Sequence, residues 1–138
     1  MRKIIILSFI TLDGVLQAPG GPQEDTSGNF KYGGWSAPYS DEFSGKLMIK
    51  QLSKPFDLLL GRKTYEIFSS FWPNHNEGII GKSLNNATKY VASNTLENPI
   101  WNKTIILKGD VIKQIKELKK QTVRIYKCTE AVTLFKLY

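Results

Sequence analysis

The sequence predicts an α/β domain built on a mostly parallel central sheet flanked by helices. Three observations carry this expectation. Short apolar runs rich in β-branched residues alternate with amphipathic stretches of helical period. Their order is strand, helix, strand, helix, strand, strand, helix, strand, helix, as when crossover helices join parallel strands. The chain has 138 residues, 41% hydrophobic and 22% charged, enough to bury a real core. No repeat, low-complexity segment or linker interrupts it, so residues 1–138 are expected to form one domain.

Lys3 to Ile10 reads as a buried first strand, a β-branched run that stops at the turn pair Asp13-Gly14. A Gly/Pro-rich stretch follows, from Gln17-Ala18-Pro19-Gly20-Gly21-Pro22 to Gly33-Gly34-Trp35. Loops of this length tend to be lids or binding loops. Asp41 to Leu52 predicts a helix, capped by Ser40 or Asp41 and anchored by Phe43, Leu47 and Leu52.

Phe56-Asp57-Leu58-Leu59-Leu60 is a second buried strand, ended by Gly61. A helix opens at Arg62, with Tyr65, Phe68 and Trp72 on one face, and Pro73 stops it. Lys89 to Ser93 and Thr104 to Leu107 are further strands. Gly109-Asp110 opens an amphipathic helix with Val111, Ile115 and Leu118 inward and its lysines in water. Val123 to Tyr126 is the last predicted strand, and Thr129 caps a short final helix carrying Val132 and Phe135.

Composition narrows the function. A single cysteine, Cys128, rules out an internal disulfide framework and a cysteine-based zinc cluster, and no metal site is expected. Cys128 is either a somewhat acidic thiol near a helix start or a plain buried one. No apolar run is long enough to span a bilayer, and no small-residue cleavage site follows the N-terminal apolar run. No membrane partner is therefore expected, and a cytoplasmic setting is. The net charge of +7 is uneven. Residues 1–100 carry 10 Lys/Arg against 9 Asp/Glu, whereas residues 101–138 carry 9 against 3. That basic quarter either attracts anions or is simply a solvated helix face. Its lysines lack aromatic interleaving, so nucleic acid is not an expected partner.

Ligands of open parallel sheets gather outside the carboxyl ends of the strands. Three segments project there: Leu12-Asp13-Gly14-Val15, Gly61-Arg62-Lys63-Thr64 and Ser93-Asn94-Thr95. The second is the most informative. A helix N-terminus offers unpaired N–H groups and a positive dipole end. Arg62, Lys63 and Thr64 add two cations and a hydroxyl, and Gly61 permits close backbone approach. Either the site holds an anion, with Ser93 and Asn94 adding hydrogen bonds, or the cations bridge to surface carboxylates such as Glu66.

Several stretches together resemble the dihydrofolate-reductase-like superfamily, and most closely the reductase domain of bacterial riboflavin biosynthesis and its stand-alone relatives. They are Ser8 to Val15, Gln17 to Gly21 with Gly33-Gly34-Trp35, Asp57 to Glu66, and Lys89 to Ser93. The likeness covers residues 1 to about 126. It implies NADPH as cofactor and a small pteridine- or pyrimidine-like substrate on the nicotinamide side. By resemblance, Gly61, Arg62, Lys63 and Thr64 hold the cofactor phosphates, and Ser93 and Asn94 lie near its 2′-phosphate. The glycine-rich loop, with Gly34 and Trp35, covers nicotinamide and substrate.

Hydride transfer to a C=N or C=O bond also needs a proton, for which Asp13 and Asp41 are the candidates. Asp13 is either that acid or an Asx turn ending the first strand. Asp41 stands roughly where dihydrofolate reductases carry their substrate-binding acid, at a different spacing. Trp35 either stacks on the substrate ring or anchors its loop.

Two patterns are missing. One His and one Cys cannot build the His-x-Glu and Cys-x-x-Cys set of a zinc deaminase, and His75 reads as a loop surface residue. No Gly-x-Gly-x-x-Gly follows a strand, which argues against an ordinary dinucleotide fold. The sequence also departs from the family where relatives turn on a Gly-Ser-Gly-like segment. Lys127-Cys128-Thr129 stands there, and the chain then ends early, as if truncated at its C-terminus. An exposed sheet edge would favour a homodimer. The leading expectation is an NADPH-dependent reductase. The alternative is a catalytically weakened relative acting as a nucleotide-binding or interaction module.

Overall fold

The computed structural model describes residues 3–120 and 125–129. Its strands are β1 (Ile4–Leu7), β2 (Phe56–Gly61), β3 (Lys89–Ala92), β4 (Thr104–Leu107) and β5 (Ile125–Thr129). Its helices are α1 (Glu42–Leu52), α2 (Arg62–Phe71), α3 (Gly78–Asn86) and α4 (Val111–Lys120). The strands form one sheet in the order β1-β5-β2-β3-β4, every pair parallel.

β2 is the axis, and all of its residues are buried because both faces are covered. The two-residue period of a strand divides them. Phe56, Leu58 and Leu60 join a core with Leu52 of α1, Tyr65 of α2 and Leu84 of α3. Leu59 joins Leu107, with Val111, Ile115 and Leu118 of α4 packed against them. Chain order explains the split. The steps from β1 through β2 and β3 to β4 cross the sheet in one direction, and β4 to β5 turns back. Right-handed crossovers then put α1, α2 and α3 on one face and α4 on the other.

The Gly/Pro-rich loop is closed at its base. Gly34 N–H donates to the Ala18 carbonyl at 2.8 Å, Ser36 N–H to Pro19 at 3.1 Å, and the Ser36 hydroxyl to the same oxygen at 2.7 Å. Trp35 Nε1 donates to the Gln17 carbonyl at 2.9 Å. At Gly33 a Cβ would lie 2.7 Å from the carbonyl oxygens of Gly21 and Pro22, so the two arms meet only through glycine. The result is a packed loop with neighbouring ends rather than a loose connector.

Several expectations need correction. β1 ends at Leu7, and Phe9 and Ile10 lie beyond it, exposed. Phe43 and Leu47 do not anchor α1: they are 76% and 48% exposed, and Leu52 with half-buried Met48 holds the helix to the core. Helix α3 was not expected at all. The last strand, expected over Val123–Tyr126, runs on to Thr129 in its described part. Lys127, Cys128 and Thr129 therefore form no turn; they are strand residues, with Cys128 in register with Ile6 on one side and Leu59 on the other. The final helix expected after Thr129, and the C-terminal truncation, fall outside the described residues.

Candidate functional site

The carboxyl edge of the sheet gathers the predicted segments. β2 runs directly into α2, and Gly61 is paired with Ala92 of β3. Register alone thus sets Arg62-Lys63-Thr64 beside Ser93-Asn94. Gly61 caps α2 with extended backbone and no side-chain hydrogen bond, and no acidic residue occupies the first turn. This helix start suits an anion. α4 is different, because Asp110 accepts from Lys113 N–H at 2.9 Å and supplies its own negative charge.

The two cations have present partners. Arg62 pairs with Glu66 one turn on, at 2.8 Å, with both side chains about half exposed. That is the surface bridge foreseen as the rival reading, and such a pair is worth at most about 1 kcal/mol and gives way to a better anion. Lys63 reaches the glycine-rich loop: Nζ donates to Ser27 Oγ at 3.1 Å and lies 3.9 Å from Asp25 Oδ2. Asp25 is held below the usual carboxylate range, mainly by its hydrogen bond with Ser27 and further by the Lys63 charge. Thr64 is buried.

Ser93 and Asn94 organise the neighbouring turn. Ser93 Oγ accepts from the N–H groups of Thr95 at 3.2 Å and Leu96 at 3.0 Å. Asn94 Oδ1 accepts from Gly109 N–H at 2.9 Å, tying the end of β3 to the β4–α4 loop. This orients the Asn94 amide while leaving its NH2 donors for a ligand.

The expected acids do local work. Thr11 donates its hydroxyl to Asp13, and the same oxygen accepts from Val15 N–H at 2.8 Å, which closes the turn after β1. Asp41 is the N-cap of α1 in a reciprocal capping box with Ser44. Hydrogen bonds from Ser44 hold its carboxyl below the ordinary value, the opposite of what a proton donor near neutral pH needs. Trp35 and Gly34 form the loop base and do not line the adjoining cavity. His75 is exposed, donates from Nδ1 to the Phe71 carbonyl at 2.7 Å and stacks on the Phe71 ring.

That cavity, of about 690 Å³, opens between the end of β1, the Gly20–Glu24 arm of the loop, and helices α1, α2 and α3. Its walls include Phe9, Met48, Phe68, Phe71, Trp72 and Leu84. Sequence reasoning missed it. Apolar residues facing a cavity carry the same helical period as those facing a core, so no pattern separates them.

Among the described residues no group of His, Cys, Asp or Glu could hold a metal ion, and no helix is long and apolar enough to cross a membrane. A parallel α/β domain with a glycine-rich loop and a cationic helix start at one edge of its sheet is of dihydrofolate-reductase-like type. The family model for the RibD C-terminal domain matches residues 2–138. The chain belongs to that family, the reductase domain of riboflavin-biosynthesis deaminase-reductases, and so has a riboflavin-biosynthesis reductase-like role. No curated protein matches it.

Proposed function

We propose that this protein is an NADPH-dependent reductase that passes hydride to a small ring substrate of pteridine or pyrimidine type. The observation that carries the reading is the register of Gly61 with Ala92, which sets a cationic helix start without a side-chain cap beside Asn94 at the carboxyl edge of the sheet. The residues suit a dinucleotide. Gly61, Arg62, Lys63 and Thr64 offer backbone N–H groups and positive charge to phosphates, and Ser93 and Asn94 stand where a 2′-phosphate would lie. When bound, NADPH supplies the hydride. The chain's part is to hold two rings together and keep water out, which the zipped loop and the apolar walls favour.

Of the two acids, Asp13 is the proposed proton source, since Asp41 is committed to its cap. The proposal includes a cytoplasmic setting and a homodimer. β1 is an edge strand of the described sheet, with Ile6, Ile10 and Leu12 exposed on or beside it. The alternative of a weakened binding module loses one of its two motives, because Lys127-Cys128-Thr129 is strand rather than a turn.

Titration with NADPH tests the reading. Saturable fluorescence change and thermal stabilisation are expected, and Arg62→Ala should weaken binding by roughly 1.5–3 kcal/mol, the range for a hydrogen bond to a charged group. No response at millimolar cofactor would overturn it.

A further inference from the structure

The geometry points to a second ligand site at the amino edge of the sheet, a lysine-lined pocket that takes a phosphate group. It lies at the edge opposite Gly61–Thr64 and does not depend on the reductase reading. The pocket, of about 380 Å³, forms where the turn after α1, the start of β2, the latter half of α3 and the turn before β4 meet. The two turns and the helix contribute one lysine each, Lys54, Lys103 and Lys82, and no Asp or Glu lines it. The carboxylate nearest in sequence, Asp57, follows Phe56 in β2 and so projects to the other face of the sheet.

Neither helix ends nor ion pairs account for this gathering. Lysines favour the carbonyl ends of helices, but Lys82 lies in mid-helix, with no basic residue in the last turn of α3, and Lys54 and Lys103 stand outside helices. Among the described residues, ion pairs engage Lys46, Arg62, Lys63 and Lys120 and none of these three. Lys103 is held in place. Its φ of 53° falls in the left-handed region that lysine rarely adopts, a kind of strain that gathers at ligand clamps. Its carbonyl accepts from Lys89 N–H at 2.9 Å. Its Nζ donates to the Asn86 carbonyl at 3.3 Å, which brings the ammonium across to α3 and leaves two N–H donors for a ligand. The positive field reaches inward as well: burial lowers the pKa of Lys89, and the Lys103 charge lowers it further. A phosphate entering here meets three ammonium groups, the Ser83 hydroxyl and the Asn86 amide, above the buried Phe56 and Ala87. The volume lies within the range of small-molecule sites, with room for an organic group beside the phosphate.

The test titrates the full, 15N-labelled chain with inorganic phosphate and with ribose 5-phosphate, following amide shifts residue by residue. Saturable changes are expected at Lys54, at residues 83–87 and at Lys103, scored apart from any at Gly61–Thr64. Sodium chloride at matched ionic strength should not reproduce them. The double variant Lys54→Gln/Lys82→Gln should weaken the response at least about fivefold, as loss of charged hydrogen bonds requires. Lys50→Gln, an exposed lysine of α1 outside the pocket, should change it by less than about twofold. All three substituted side chains are exposed, so the fold is retained. Tighter ribose 5-phosphate would assign the site to an organic phosphate and equal affinities to the free anion, and both support it. No saturable change at those amides, the same changes with chloride, or equal weakening by Lys50→Gln and the double variant would each overturn it.

Discussion

Lys89 carries an ammonium into the start of β3, where it is completely buried. Nζ donates to the Asn85 carbonyl at 2.8 Å and to the carbonyl and Oδ1 of Asn102 at 3.2 Å each, and it stands 4.1 Å from the centroid of the Trp101 ring. Neutral acceptors and a π face replace the water it gave up, and among the described residues no carboxylate joins them. Burial, helped by the nearby Lys103 charge, lowers its pKa from 10.5 to about 8. Between these values the unfolded chain binds a proton that the folded chain does not, so stability from this group rises with pH across that window. The slope approaches about 1.4 kcal/mol per pH unit. The stability of the wild type minus that of Lys89→Met, from urea unfolding, should therefore grow from pH 8 upward; a flat difference would refute the lowered pKa. At this scale the sequence was partly legible. Asp41 as a cap and Arg62 with Glu66 were among its readings, because both are decided within one turn of helix. Lys89 was not, because its surroundings come from Asn85 and from Trp101-Asn102, brought together only by the fold.

Elements set by local pattern were read correctly and those set by packing were not. The period of Val111, Ile115 and Leu118 marks α4 without help. α3 begins Gly78-Ile79-Ile80-Gly81, which local propensity marks as loop, yet it folds as helix because Gly81 lets the chain pass under the preceding turn. A Cβ at Gly81 would lie 2.1 Å from the His75 carbonyl oxygen, a backbone atom that cannot swing away. Gly81→Ala should accordingly destabilise the protein by about 1–3 kcal/mol, the usual cost of overpacking, seen as a lower unfolding midpoint. The glycine-rich loop depends on α2 through Lys63 and its contacts with Ser27 and Asp25. Lys63→Met should leave global stability within about 1 kcal/mol, since the pair is solvent-facing. It should also speed amide exchange and proteolysis within residues 20–34. Unchanged loop protection would show that the zipped base alone holds the loop.

For the whole molecule, alternation of strand and helix was enough to announce a mostly parallel sheet flanked by helices, and the run from Phe56 to Leu60 was enough to mark a buried strand, though not its central place. Strand order was not legible: nothing in Ile125 to Thr129 says that this segment enters between β1 and β2. The cationic helix start was readable because glycine followed by two cations is unusual there. The adjoining cavity was not, because its walls borrow residues from β1 and three helices that look like core when read singly.

Among the described residues β1 pairs with the sheet only through β5, with Ile4 opposite Tyr126. Of the five described strands, the first in chain order therefore has no place to settle until the last has been made. β2, β3 and β4 can assemble among themselves in the meantime, whereas the N-terminal segment waits as an unsatisfied, sticky ribbon, dependent on whatever holds it apart from its neighbours.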